Sequence, residues 1–201
     1  MNTIRRKIGS KIYIFCNGKK AEPLYFQDLK DFLKANRVKI LHKNFCGKAP
    51  WEFIDAVIAY KEQLKKTEKF SDADGDQSWC VFDIDEYWRQ NSQKFRAALK
   101  QANENNIQIA WSNQCFELWF LYHFESLSTA TPRVDYHKKL RQHFKTNNLG
   151  EYAKNMEQIF NPLLPFLTKA IQNARKSYIK DKVEKDPSTA VFLLVEELQR
   201  L

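Results

Sequence analysis

Only five of the 201 residues are glycine, and neither G-x-G-x-x-G nor G-x-x-x-x-G-K-[ST] occurs. Without such turns a backbone cannot close on a pyrophosphate in the Rossmann or P-loop manner, so a nucleotide-binding α/β domain of those types ranks last among the readings. Long apolar runs are missing too. The longest, "CFELWFLYHF" at 115–124, carries Glu117 and is far too short to span a bilayer. The start, "MNTIRRKIGSKIYIFC", has basic residues but only a short apolar stretch and no small-residue cleavage site, so a cytoplasmic protein with no membrane partner is expected. The four cysteines (16, 46, 80 and 115) form no C-x-x-C pair, and the four histidines form no H-x-x-x-H pair. Buried thiols in a reducing compartment account for them better than zinc or a disulfide framework.

What is present is apolar content and positive charge. Hydrophobic residues make up 43% of the chain and aromatics 14%, enough for a sizeable core rather than a disordered segment. The formal net charge of +9 fits a polyanionic partner such as nucleic acid, RNA or DNA, although charge alone does not single one out.

Periodicity orders the chain. "KIYIFC" (11–16), "VKIL" (38–41), "SWCVFDID" (78–85) and "IQIAWS" (107–112) read as strands. Between them, helical spacing covers 24–35, 50–66 and 92–106, with Pro23 and Pro50 in first turns, and 115–124 follows as an apolar helix. This β-α alternation predicts an α/β fold with a mainly parallel sheet flanked by helices. After "STATPR" (127–133) helical patterns recur at 135–145, 152–160, 164–181 and 189–201, so residues 1–126 are expected to form the α/β core and 127–201 a C-terminal helical extension packed on it.

Right-handed crossovers place the C-terminal strand ends on one edge, where such folds bind ligands, and that edge collects Asn17, Asp83, Asp85, Ser112 and Asn113. Asp83 and Asp85 alternate on one side of a strand, and two neighbouring carboxylates repel unless a hard cation such as Mg²⁺ joins them. An acidic loop or helix cap after a buried strand is the alternative, and the strongly apolar strand leading into the pair favours metal. Glu117 either faces that metal edge or sits in a salt bridge on an amphipathic helix. Lys19 and Lys20 flank the first turn, where they meet phosphate or simply solvent. Tyr87, Trp88 and Arg89 suit stacking on a base or ordinary packing. "DADGD" (72–76) lacks the glycine an EF-hand loop needs at its sixth position, where Gln77 stands, and reads as a turn. His123 reads as a core histidine.

Taken together, "FCNGKKAEPLYF", "VFDIDEY", "SNQCFELWFLYHF" and "DPSTAVFLLVEEL" resemble the RloB-like proteins in order and spacing over almost the whole chain. That family looks like a branch of the Toprim superfamily, whose signature is a glutamate after the first strand and a D-x-D after the third, organising Mg²⁺ (Mn²⁺ also serving). The resemblance implies a Toprim-like, metal-dependent nuclease of bacterial antiviral defence and abortive infection, encoded with an ABC-like or AAA-type ATPase partner. It places the D-x-D on Asp83 and Asp85, a second glutamate on Glu22, and the later motif on Ser112, Asn113 and Glu117. The leading glutamate falls on Asn17, and an amide cannot shuttle a proton. Two readings follow: a nuclease whose acid/base is Glu22, with Asn17 and Glu117 completing the site, or a catalytically impaired partner or sensor subunit that binds the ATPase or nucleic acid without cleaving.

Overall fold

A strand covered on both faces needs apolar residues at every position, and Ile12–Cys16 (β1) is buried throughout. The computed structural model describes residues 9–84, 87–180 and 182–201. β1 is followed by α1 (Ala21–Phe32), β2 (Val38–Leu41), α2 (Pro50–Lys66), β3 (Gln77–Asp83), α3 (Tyr87–Gln90), α4 (Ser92–Glu104), β4 (Ile107–Asn113) and α5 (Glu117–Tyr122). The remainder supplies α6 (Arg133–Thr146), α7 (Phe160–Leu163), α8 (Leu167–Ser177), β5 (Ser188–Thr189) and α9 (Val191–Leu198).

The sheet has the order β2-β1-β3-β4-β5. β1 pairs in parallel with both β2 and β3, β3 pairs in parallel with β4, and β5 runs antiparallel to β4. The α/β reading therefore holds, with a mostly parallel sheet flanked by helices. From β1 the chain crosses to β2 on one side and then returns to β3 on the other, so the strand order reverses between β1 and β3. Outside the carboxyl ends of those two strands lies the crevice that open α/β sheets use for ligands.

Alternation sorts the strand side chains into two layers. Ile12, Ile14 and Cys16 of β1, with Trp79 and Val81 of β3, join the cluster under α1, α5, α6, α8 and α9. Tyr13, Phe15, Cys80 and Phe82 face the other cluster, under α2 and α4. Asp83 continues the Trp79–Val81 series, so its carboxylate is delivered to the α1–α5 side. The first cluster runs without a break across residue 126, from Ile12 to Leu198.

Helix ends follow local chemistry. Pro50 opens α2, where Glu52 accepts the Ala49 amide at 3.3 Å, and Asn91 caps α4 by accepting the Lys94 amide at 2.9 Å. Buried Lys61 closes the far end of α4, donating to the Asn105 and Asn106 carbonyls at 2.8 and 3.3 Å.

Besides the helix expected over 164–181, which runs only from Leu167 to Ser177 after a 3-10 turn, three elements differ from expectation. The helix expected over 24–35 begins earlier, at Ala21, and ends at Phe32, since Lys34 takes a positive φ of 51°. The stretch 152–160 is not helical before Phe160: Asn155 and Gln158 turn left-handed, with φ of 60° and 56°, and the Phe160 amide donates to Asp28 Oδ2 at 3.2 Å. The stretch from 189 joins a strand before its helix, because Ser188 and Thr189 complete the sheet edge. Among the described residues no helix is long and apolar enough to cross a membrane.

Candidate active site

At the switch point lies a cavity of about 300 Å³. Three carboxylates line it, each from a different element: Glu22 from the first turn of α1, Asp83 from the end of β3 and Glu117 from the start of α5. Lys19, Lys20, Arg133 and Lys154 bring positive charge to the same walls.

Glu22 owes its place to the glycine before it. A Cβ built on Gly18 would overlap the Glu22 carboxylate oxygens, so only glycine lets this side chain fold back over the β1–α1 turn. Glu22 is 4% exposed. Burial pushes its carboxyl up from 4.5 to about 7; the Glu22 and Gly18 amides pull it down, the Glu117 charge pushes it up again, and Arg133 opposes that. A carboxyl poised near neutrality in a cleft is suited to passing a proton.

The other two acids are held by basic groups from α6. Asp83 Oδ2 stands 3.9 Å from the Arg133 guanidinium, and Glu117 Oε1 stands 3.7 Å from His137 Nε2. Burial lowers the His137 pKa and the Glu117 charge partly restores it. Glu117 is 3% exposed, so the two readings left open by the sequence merge: it faces the cavity and also has a basic neighbour.

Other residues singled out from the sequence stand elsewhere. Asn17 does not line the cavity; its amide donates to the Lys48 carbonyl at 2.8 Å and accepts the Lys48 amide at 3.1 Å, tying the β1–α1 turn to the loop before α2. That pair of bonds needs a donor and an acceptor on one side chain, which an amide has and a carboxylate lacks. Ser112 and Asn113 are buried under the C-terminal segment instead of facing a ligand. The Ser112 hydroxyl lies 2.8 Å from that of Thr189, and the Asn113 amide donates to the Val183 and Lys185 carbonyls at 3.2 Å each. Both positions sit on the expected edge, but β5 and the segment before it cover them. Asp85 lies outside the described residues.

Tyr87 and Trp88 are half-buried and packed. The Tyr87 ring meets Trp51 edge-on at 5.8 Å, and Trp88 carries the Arg96 guanidinium at 4.7 Å; Arg89 is exposed. The "DADGD" acids serve as staples: Asp72 pairs with Lys61 and Lys65 at 3.1 and 2.9 Å, and Asp76 accepts the Lys11 and Ser71 amides. His123 is a core residue with Nδ1 at 2.9 Å from the Trp119 carbonyl, and burial lowers its pKa to about 4. Cys16, Cys80 and Cys115 are buried, Cys46 is half-buried, and all four are free thiols.

Sequence reasoning passed over Gly18, Arg133, His137 and Lys154. Arg133 and His137 share a face of α6, one turn apart, but no local pattern says that this face meets α5. Among the described residues, no group of three His, Cys, Asp or Glu side chains stands close enough together to hold a metal by itself. The chemistry of the donors still suits a hard divalent cation: all are carboxylate oxygens, and Mg²⁺ takes one or two of them while keeping waters that a substrate phosphate replaces.

No curated protein and no solved structure matches the chain. A family model does, over residues 12–198 and so nearly the whole length, with the description RloB-like protein. The chain belongs to the RloB-like protein family.

Proposed function

We propose that this protein is a Mg²⁺-dependent nuclease that hydrolyses a phosphodiester of RNA or DNA. The observation that carries the reading is the convergence of Glu22, Asp83 and Glu117 with Lys19, Lys20 and Arg133 on one cavity at the strand-order switch. Cations on the rim hold the phosphate by charge, and Arg133, which lines the cavity, offsets the negative charge that grows on the phosphorus oxygens. Glu22 takes the proton of the attacking water as its oxygen bonds to phosphorus, while the bond to the leaving sugar oxygen breaks and that oxygen takes a proton from solvent. Asp83, with Asp85, would hold Mg²⁺, which when bound lowers the pKa of water and offsets charge on the phosphate. Glu117 lies beside Glu22 and adds to the upward push that burial gives the Glu22 carboxyl.

Asn17 supports the same reading. Its amide braces the turn carrying Gly18 and Glu22, so the acid/base role passes five residues along the chain and the site is rebuilt around Glu22. In the wider proposal, cleavage is the effector step of an antiviral defence system with an ATPase partner, in the cytoplasm. The second reading, a partner or sensor subunit that binds without cleaving, draws on Asn17 standing where the resemblance leads one to expect a glutamate.

The test is cleavage of tRNA and of plasmid DNA with Mg²⁺ or Mn²⁺, by wild type and Asp83→Ala, with metal binding followed by calorimetry on the same samples. The nuclease reading expects metal-dependent cleavage that Asp83→Ala abolishes. Equal behaviour of the two proteins in both assays, with and without the ATPase, removes that reading and leaves the binding subunit.

A further inference from the structure

A second cavity, of about 250 Å³, lies on the other side of the Lys19–Lys20 turn. Lys19, Lys20 and Asn155 line both cavities, so the two are adjoining compartments with a cationic wall in common. Resting on the nuclease reading, we propose that this second compartment is a nucleobase slot, which seats the base next to the phosphate held in the first.

Its walls are of the right kind. Pro23, Leu24 and Gln27 follow one stripe of α1, with Lys20 just before the helix in line with them. Ile40 and His42 face them from the end of β2, the edge strand of the parallel sheet. Pro23, Leu24 and Ile40 make the slot mostly apolar, as the flat face of a base requires. Its volume is below the roughly 300–1,000 Å³ typical of sites for drug-sized ligands, so it suits one planar ring system rather than a whole nucleotide.

Polar groups stand at the rim. His42, Gln27 and Glu157 offer hydrogen-bonding edges, and the Gln27 amide is fixed by donating to both oxygens of Asp31 at 2.9 Å. Glu157 disfavours a second phosphate in this compartment and accepts readily from an exocyclic amine. The two lysines, in contrast, are exposed and belong to both chambers, as a phosphate joining base to backbone would need. The division is therefore phosphate at the carboxylate–lysine cavity and base between α1 and β2, and Leu24, Ile40 and His42 become the residues that set base preference.

The experiment compares 5′-mononucleotides (AMP, GMP, CMP and UMP) with ribose 5-phosphate, by calorimetry and methyl NMR on the full chain. In wild type at least one mononucleotide is expected to bind tenfold or more tighter than ribose 5-phosphate, and to move the methyl resonances of Leu24 and Ile40. In Leu24→Arg the ratio is expected to fall to about one, because the two ligands carry the same phosphate and differ only in what enters the slot. Equal binding of nucleotide and sugar phosphate by wild type, binding of neither, or base-dependent binding that leaves both methyls unmoved overturns the proposal. The methyl shifts decide the matter without a variant, should Leu24→Arg fail to fold. Cleavage plays no part in this test: its failure leaves the nuclease reading standing, and a base preference in a protein that never cleaves keeps the slot and removes the nuclease.

Discussion

Replacing Glu22 by glutamine is expected to stabilise the protein while silencing it. In metal-free buffer the folded carboxyl titrates at about 7, against an ordinary value of 4.5, chiefly because it is buried. The sign follows from proton uptake. Between those two values the folded state holds a proton that the unfolded state has released, so stability falls as pH rises through that window. Below about 4.5 both states are protonated and the residue contributes no pH dependence; above about 7 the full penalty is present. A displacement of about 2.5 pH units, at about 1.36 kcal/mol each, corresponds to roughly 3 kcal/mol. Glu22→Gln keeps the shape and an acceptor for the Gly18 amide but never ionises. Urea unfolding at pH 4, 6 and 8 is therefore expected to show little difference at pH 4 and a growing advantage for the variant, approaching that figure at pH 8. Cleavage by the variant is expected to fall by about a hundred- to ten-thousand-fold, the usual loss on removing a general acid or base. A variant less stable than wild type at pH 8, or an advantage that does not change with pH, would refute the claim that burial raises the Glu22 carboxyl.

Three further outcomes test the surroundings of the site. Gly18→Ala puts a methyl where the Glu22 carboxylate lies; the displaced group is the end of a flexible side chain, so a folded protein with strongly reduced cleavage and no pH-dependent step near 7 is expected, read by circular dichroism and a pH–rate profile. Asn17→Glu, which puts a carboxylate at the end of β1, loses the bond to the Lys48 carbonyl and is expected to lower stability by about 1–3 kcal/mol without raising activity; a gain in cleavage would show that Glu22 does not hold the acid/base role. His123 is held neutral by burial, with a pKa of about 4 against 6.5, so the unfolded state binds more protons between those values and stability is lost as pH falls through them, by up to roughly 3 kcal/mol. His123→Leu is expected to flatten that acid limb in denaturant melts, whatever constant offset it adds.

Much of the fold was legible along the chain, and the reason is periodicity. β1 and β3 are apolar strands of the kind a sheet covered on both faces demands, and 50–66 carries a helical stripe, with Pro50 at its start, that the structure reproduces end to end. Asp83, Glu117, Lys19 and Lys20, singled out along the chain, share one cavity with Glu22, which the family resemblance pointed to; strand alternation aims Asp83 at that edge, and the bare Cα of Gly18 admits Glu22. Two-residue β5 carried no such signal. A pair of residues cannot show alternation, and Ser188 and Thr189 reach β4 because the preceding segment folds back against Asn113.

The amino-acid order by itself determined the alternation of strands and helices, which depends on neighbours within a few residues, and that alternation with right-handed crossovers implied the parallel sheet and the edge on which the acids gather. Tertiary structure alone decided which polar groups at that edge meet solvent. Asn17, Ser112 and Asn113 have their hydrogen bonds taken up by chain segments 31 to 77 residues away, while Arg133, His137 and Lys154 arrive from the C-terminal region to face the carboxylates. Whether a polar side chain at a strand end faces a ligand or braces a loop depends on what packs over it, and that is settled by contacts far apart in sequence.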